Sequence, residues 1–162
     1  MPLWKPNDLP HLKMWLCSND LNTGTLTGWP DRSILQDGAV QTDSSKVPSV
    51  GFNKGQKLAD FDGTDDHLLT SDTTSGAMDV DTGDYYMGAF IKIDAPGSGA
   101  LVFFAHDETS SDSELRLNQN RKIVLQSGGS PGALTGSTAL DADSYHLVGS
   151  HRASNTEKIY ID

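Results

Sequence analysis

Tyr85-Tyr86-Met87-Gly88-Ala89-Phe90-Ile91-Lys92-Ile93 alternates on a period of two, with Tyr85, Met87, Ala89, Ile91 and Ile93 on one side and Tyr86, Gly88, Phe90 and Lys92 on the other. Such alternation is the signature of a β-strand. Both sides are largely apolar, so the run reads as a strand covered on both faces and central in a pair of packed sheets.

The residues that follow repeat the pattern in shorter pieces. Leu101–His106, Glu114–Leu117, Lys122–Gln126, Ser144–His151 and Lys158–Asp162 are apolar segments. Turn clusters separate them at Ala95-Pro96-Gly97, at 107–113, at Asn118-Gln119-Asn120, at 127–136 and at Ala153-Ser154-Asn155. Short strands at roughly 8–12-residue spacing indicate a β-sandwich or barrel.

On the N-terminal side, Leu58–Phe61 and His67–Thr70 flank the turn Asp62-Gly63-Thr64-Asp65-Asp66 and predict two short strands joined by it. His11–Cys17 places Leu12, Met14 and Leu16 opposite Lys13 and Trp15, which predicts a further strand. Positions 18–50 have a loop-like composition but are too long for a structureless connection. Short strands or turns are expected there, with Trp29 as a buried anchor. Residues 1–10 carry prolines at positions 2, 6 and 10 around Trp4, the mark of an extended arm that packs on a neighbour.

Composition agrees with an all-β chain. Of 162 residues, 22 are Asp or Glu and 12 are Lys or Arg, for a net charge of -10. Asp supplies 19 of the 22 acids, and Gly, Pro, Ser, Thr, Asn and Asp together fill 79 positions. These residues favour caps and turns over helix interiors. The acidic balance excludes a basic face for a nucleic-acid backbone. Cys17 is the only cysteine, which excludes an internal disulfide and any cysteine-cluster zinc site. No apolar run approaches the roughly 20 residues of a spanning helix, and Met1–Pro6 lacks the apolar core of a signal peptide. No membrane or nucleic-acid partner is therefore expected.

Phe61-Asp62-Gly63-Thr64-Asp65-Asp66-His67-Leu68, the Tyr85–Ile93 strand and the closing Tyr145-His146-Leu147-Val148 … Lys158-Ile159-Tyr160-Ile161-Asp162 together resemble the laminin-G-like, concanavalin-A-like jelly-roll superfamily. Leu12-Lys13-Met14-Trp15-Leu16 … Asp20 and Trp29-Pro30-Asp31-Arg32-Ser33 resemble the version of that module common in structural proteins of tailed bacteriophages and in surface proteins of environmental bacteria. The resemblance runs from about position 11 to the end and is specific for fold more than for function. It implies a two-sheet antiparallel β-sandwich over 11–162, preceded by the arm at 1–10. In that family a glycine turn and further strands usually follow the Lys158–Asp162 strand. The expectation is a sandwich lacking its last strands or completed from outside, by another copy of the chain or a neighbouring virion protein.

The resemblance implies a non-enzymatic virion structural protein of a tailed phage, attached to capsid or tail and presenting a lectin-like domain. The alternative is a carbohydrate-binding or adhesion module of a bacterial surface protein, extracellular or at the cell surface. Expected partners are other virion proteins, copies of the chain itself and cell-surface glycans.

Candidate chemistry is sparse. Asp62, Asp65 and Asp66 have the oxygen donors calcium takes, although an Asx-type turn, in which carboxylates cap backbone N–H groups, accounts for them more simply. Asp79-Val80-Asp81-Thr82-Gly83-Asp84 lacks the spacing of an EF-hand loop. Glycoside hydrolysis needs a carboxyl pair, whereas Glu108, Glu114 and Glu157 are isolated and no apolar strand carries alternating acids. No catalytic residue is expected, and no cofactor other than calcium. His67, His106, His146 and His151 lack two-histidine metal spacing and receive no role. Ser127–Gly132 lacks the lysine and helix of a phosphate loop. Sugar-stacking candidates are Tyr85, Tyr86 and Tyr145; Trp4, Trp15 and Trp29 are weighed with them, the last two as core anchors.

Overall fold

The computed structural model describes residues 9, 12–33, 35–70, 84–93, 101–106, 113–126, 133–154 and 156–162; for 101–106 and 113–114 it describes the backbone alone. The arm at 1–10, Leu9 apart, and most of the Asp79–Asp84 run lie outside the described residues. The chain divides into two compact units, Met1–Asp79 and Val80–Asp162. Both are built from antiparallel strands, none of the sheets is closed, and the described residues include no α-helix. No helix among them is long and apolar enough to cross a membrane.

The first unit contains β1 (Gly28–Trp29), β2 (Ala39–Val40), β3 (Ser49–Asn53), β4 (Gln56–Asp60) and β5 (Leu69–Thr70), with a 3-10 turn at Ser18–Asp20. Strands β1, β2 and β5 form one sheet in that order, and β3 pairs with β4. The β3–β4 hairpin turns through Lys54 and Gly55, at φ of 48° and 82°. Two consecutive left-handed residues are what a primed hairpin turn requires, and that turn sets the register from Asn53↔Gln56 to Ser49↔Asp60. The Leu58–Phe61 run thus pairs backwards with β3, whereas the sequence suggested a partner in His67–Thr70. The latter run contributes β5, which pairs with β2.

Of the expected strand at His11–Cys17, His11 lies outside the described residues and the rest forms one bridge, Leu16↔Asp31. The reason is a side chain that substitutes for a strand partner. Asp31, buried, accepts the N–H groups of Trp15 at 2.7 Å, Ser33 at 2.8 Å and Asp37 at 3.2 Å. Burial disfavours this carboxylate's charge, but the Ser33 hydroxyl and these three N–H groups outweigh it and hold its pKa below the usual value. Arg32 forks onto Asp20 and lies over the Trp15 ring. Trp29, half-buried, donates its indole N–H to the Cys17 carbonyl at 2.9 Å.

The second unit contains β6 (Tyr85–Lys92), β7 (Leu101–His106), β8 (Ser113–Leu117), β9 (Lys122–Gln126), β10 (Leu134–Ala139), β11 (Tyr145–Ala153) and β12 (Thr156–Ile161). Strands β7 to β10 form a four-stranded sheet in the order β10-β9-β8-β7, and a second sheet runs β12-β11-β6. One apolar core joins the two sheets. Leu115, Leu117, Ile123 and Leu125 come from the first; Met87 and Val148, backed by Ala89, Ile91, Ile159 and Ile161, come from the second. Full burial of each such leucine or isoleucine contributes about 2 kcal/mol relative to exposure.

Two features differ from the sequence expectation. The strand β10 lies partly inside the Ser127–Gly136 turn cluster, because its Thr-Gly-Ser-Thr composition belongs to a mostly exposed strand with little apolar pattern. More consequentially, β6 is not central. Among the described residues it pairs only with β11, which is the middle strand of its sheet.

The assignment of faces has a direct stability test. Leu125→Ala, at a fully buried site, is expected to lower the unfolding free energy by about 3 kcal/mol in denaturant titration. Leu147→Ala, where the side chain is 53% exposed, should stay within about 0.5 kcal/mol of wild type. Equal costs would contradict the assignment.

Candidate functional site

The alternation of β6 explains why it is apolar on both sides. Its Tyr85–Met87–Ala89–Ile91 side enters the core, and its other side faces away from it, with Tyr86 65% and Phe90 71% exposed. The register of β6, β11 and β12 then fixes the composition of that outer face. Across the sheet, Tyr86 stands beside His151 and Lys158, Gly88 beside Gly149 and Tyr160, Phe90 beside Leu147, and Lys92 beside Tyr145. Successive rows lie about 7 Å apart along the strands, and neighbouring strands about 4.8 Å apart.

Two aromatic pairs dominate this face. Phe90 and Tyr145 stack with ring centroids 5.2 Å apart and planes 5° from parallel. Tyr86 and Tyr160 lie 6.5 Å apart at 46°. The glycine row is what lets Tyr86 lie down. A Cβ at Gly149 would sit 2.9 Å from the Met87 carbonyl oxygen and 3.1 Å from Tyr86 Oη, so only glycine leaves room for the phenol there. Tyr86 thereby covers the Gly88–Gly149 pair with a ring whose far side is open to solvent. The face can therefore hold a flat, partly apolar ligand by stacking, with the Tyr86 and Tyr160 phenols at its edge as hydrogen-bonding groups.

Of the three tyrosines singled out in the sequence, the fold brings Tyr86 and Tyr145 to this face and turns Tyr85 into the interior. Burial, and then the nearby Glu157 carboxylate, push the Tyr85 phenol pKa up, with Arg152 opposing. Phe90, Leu147 and Tyr160 complete the face and were not singled out. Their signal was present in the period-two positions of β6, β11 and β12, but only the strand register shows that these positions share a side. Trp15 and Trp29 are held in the first unit by the contacts described above, and Trp4 lies outside the described residues.

Donor atoms of Asp62, Asp65 and Asp66 converge to within 4.8 Å on an exposed loop. Asp62 Oδ1 accepts the N–H of Thr64 at 2.8 Å, of Asp65 at 3.3 Å and of Asp66 at 3.4 Å, and Asp66 returns a bond to the Asp62 N–H at 3.0 Å. The Thr64 N–H, foremost among these, lowers the Asp62 pKa against slight desolvation. This is the Asx-type arrangement, and it accounts for the Asp62 and Asp66 carboxylates as backbone caps.

Among the described histidine side chains, His146 alone is buried and bonded through both ring nitrogens. Nδ1 lies 2.7 Å from Asp162 Oδ2, and Nε2 lies 3.1 Å from the Asp141 carbonyl oxygen. Both partners are acceptors, so only the doubly protonated ring donates to each. The Asp162 hydrogen bond, opposed by burial and helped by the Asp141 carbonyl, raises the His146 pKa above 6.5. In turn His146, then the Leu147 N–H, lower that of Asp162. This contact ties the end of β12 to β11 behind the aromatic face. His67 Nδ1 meets the Asp65 carbonyl oxygen at 2.8 Å, His151 lies on the outer face, and only the backbone of His106 is described.

Set against models of protein families, curated proteins and solved structures, the chain matches none.

The His146–Asp162 pair predicts a pH signature. A raised histidine pKa contributes stability that is present below about pH 6.5 and is lost as pH rises through the raised value. The lowered Asp162 pKa contributes stability that is present above about pH 4 and is lost as pH falls through the lowered value. The thermal midpoint of wild type should therefore exceed that of Asp162→Asn most at about pH 5 to 6, and the gap should shrink by about pH 9. A gap independent of pH over that range would contradict the doubly bonded imidazolium.

Proposed function

We propose that the protein is a non-enzymatic adhesion module: a β-sandwich of the jelly-roll type that holds glycan on the outer aromatic face of its β12-β11-β6 sheet. The observation that carries this reading is the exposed aromatic group itself. Tyr86, Phe90, Tyr145 and Tyr160 stand on one side of one sheet, at 65%, 71%, 38% and 45% exposure, in two ring pairs. Burying rings of this size is worth several kcal/mol in a core, so a solvated cluster of them points to a ligand. Pyranose rings present C–H faces that stack on aromatic rings and hydroxyls that meet the phenols. The acidic composition and the unpatterned acids support binding over nucleic-acid contact or glycoside hydrolysis.

The place of this module on a tailed-phage particle, attached to capsid or tail through neighbouring virion proteins or further copies, is supported by the resemblance of the Leu12–Leu16, Trp29–Ser33 and Phe61–Leu68 segments. A bacterial surface adhesin would use the same face in the same way.

Screening the full chain on an array of oligosaccharides tests the reading. Retention of at least one glycan is expected, and Phe90→Ala and Tyr86→Ala should each weaken it about fivefold or more, while Tyr85→Phe should leave it unchanged. Absence of any retained glycan, or binding indifferent to both substitutions, would overturn the reading.

A further inference from the structure

The outer face is not electrically uniform, and the asymmetry bears on which sugar it takes. At one end Lys92 is paired with Asp143 at 3.6 Å. At the end of β12 the Asp162 carboxylate is taken up by His146. The remaining row, Tyr86–His151–Lys158, has no such compensation: His151 and Lys158 sit directly opposite each other on β11 and β12. Among the described residues no ion pair or hydrogen bond joins either to a carboxylate. Lys158 and His151 thus form a pair of basic side chains on the outer face, with Tyr86 beside His151.

One row away, about 7 Å along the strands, the Tyr86 ring lies over Gly88 and Gly149, with Tyr160 beside it. A sugar stacked on that pavement puts its ring substituents within reach of the flexible Lys158 side chain. A neutral hydroxyl gains little from an ammonium that water already solvates, whereas a carboxylate gains a charge-assisted hydrogen bond and supplies the missing counter-charge.

We infer that the Tyr86–Tyr160 end of the face is a subsite for an acidic sugar, a hexuronate residue of a surface polysaccharide, whose ring stacks on the tyrosines and whose carboxylate meets Lys158 and His151. The inference rests on the glycan-binding reading of the face and adds the class of sugar to it. The overall negative charge slows the approach of such a polymer at low salt, so the selectivity resides in the bound complex.

Calorimetric titration of the full chain with a galacturonic acid trisaccharide, and with the neutral galactose trisaccharide of the same linkage, separates the possibilities. The acidic sugar is expected to bind about tenfold more tightly, with the ratio falling as salt is raised. Lys158→Gln should bring that ratio close to one, and Lys158→Arg should keep it. Lys158 is exposed, so its replacement leaves folding intact, which circular dichroism verifies. Equal or better binding of the neutral sugar, or an unchanged ratio in Lys158→Gln, would overturn the acidic subsite and leave the glycan-binding face standing. Failure of both sugars, together with an empty array, would remove the face and the subsite together.

Discussion

A β-strand has two faces, and β6 places apolar side chains on both. That constraint organises the second unit. The Met87 side must meet Val148, Leu115 and Leu125, which draws the β12-β11-β6 sheet onto the four-stranded sheet and defines the core. Once it has done so, Tyr86 and Phe90 can only point the other way. The exposed aromatics are thus a geometric consequence of burying Met87, and keeping them apolar is a choice of sequence that stability alone does not require. Because a register slip of one residue would exchange the two sides entirely, the ladder between β6 and β11, from Tyr85↔Arg152 to Lys92↔Tyr145, is what keeps them apart.

In the first unit short polar side chains work beside a small set of buried apolar ones, Leu21, Leu26, Ala39 and Pro48. Its strands are brief, and its fixed points are carboxylates that accept backbone N–H groups: Asp31 for Trp15, Ser33 and Asp37, and Asp62 for the loop through Asp66. An N–H bonded to a carboxylate is a satisfied donor, so the chain can turn often without long ladders. Asp31, Asp43, Asp62 and Asp66 follow this logic, since the short side chain reaches its own neighbourhood's backbone.

The strands most legible in the sequence are those with a clean period of two and a turn at each end: β6, β7, β8, β9, β11 and β12 all lie close to their expected positions, and β4 and β5 do so with other partners than expected. The strand β10 was hidden because an exposed strand of threonine, serine and glycine looks like a turn. Leu12–Leu16 was read as a strand because its alternation is real, yet the Asp31 carboxylate took the N–H that a neighbouring strand would have used. For β6 the period was right and its meaning was not: a two-faced apolar strand can be central and doubly buried, or paired on one side with one aromatic face in water. Periodicity does not distinguish them. Half of the aromatic face, Tyr86 and Tyr145, was visible as composition; its assembly with Phe90, Leu147 and Tyr160 depends on register between segments some 60 residues apart, which no local pattern carries.

The central claim is that one side of β6 is core and the other is open. Hydroxyl-radical footprinting read by mass spectrometry measures this residue by residue in solution. Rapid labelling of Tyr86 and Phe90 is expected, with slow labelling of Met87 despite the intrinsic reactivity of its sulfur, and protection of Leu125 and Val148. Phe90 as protected as Leu125, or Met87 labelled ahead of Tyr86, would mean that the two faces are assigned the wrong way round or that the aromatic side is itself covered.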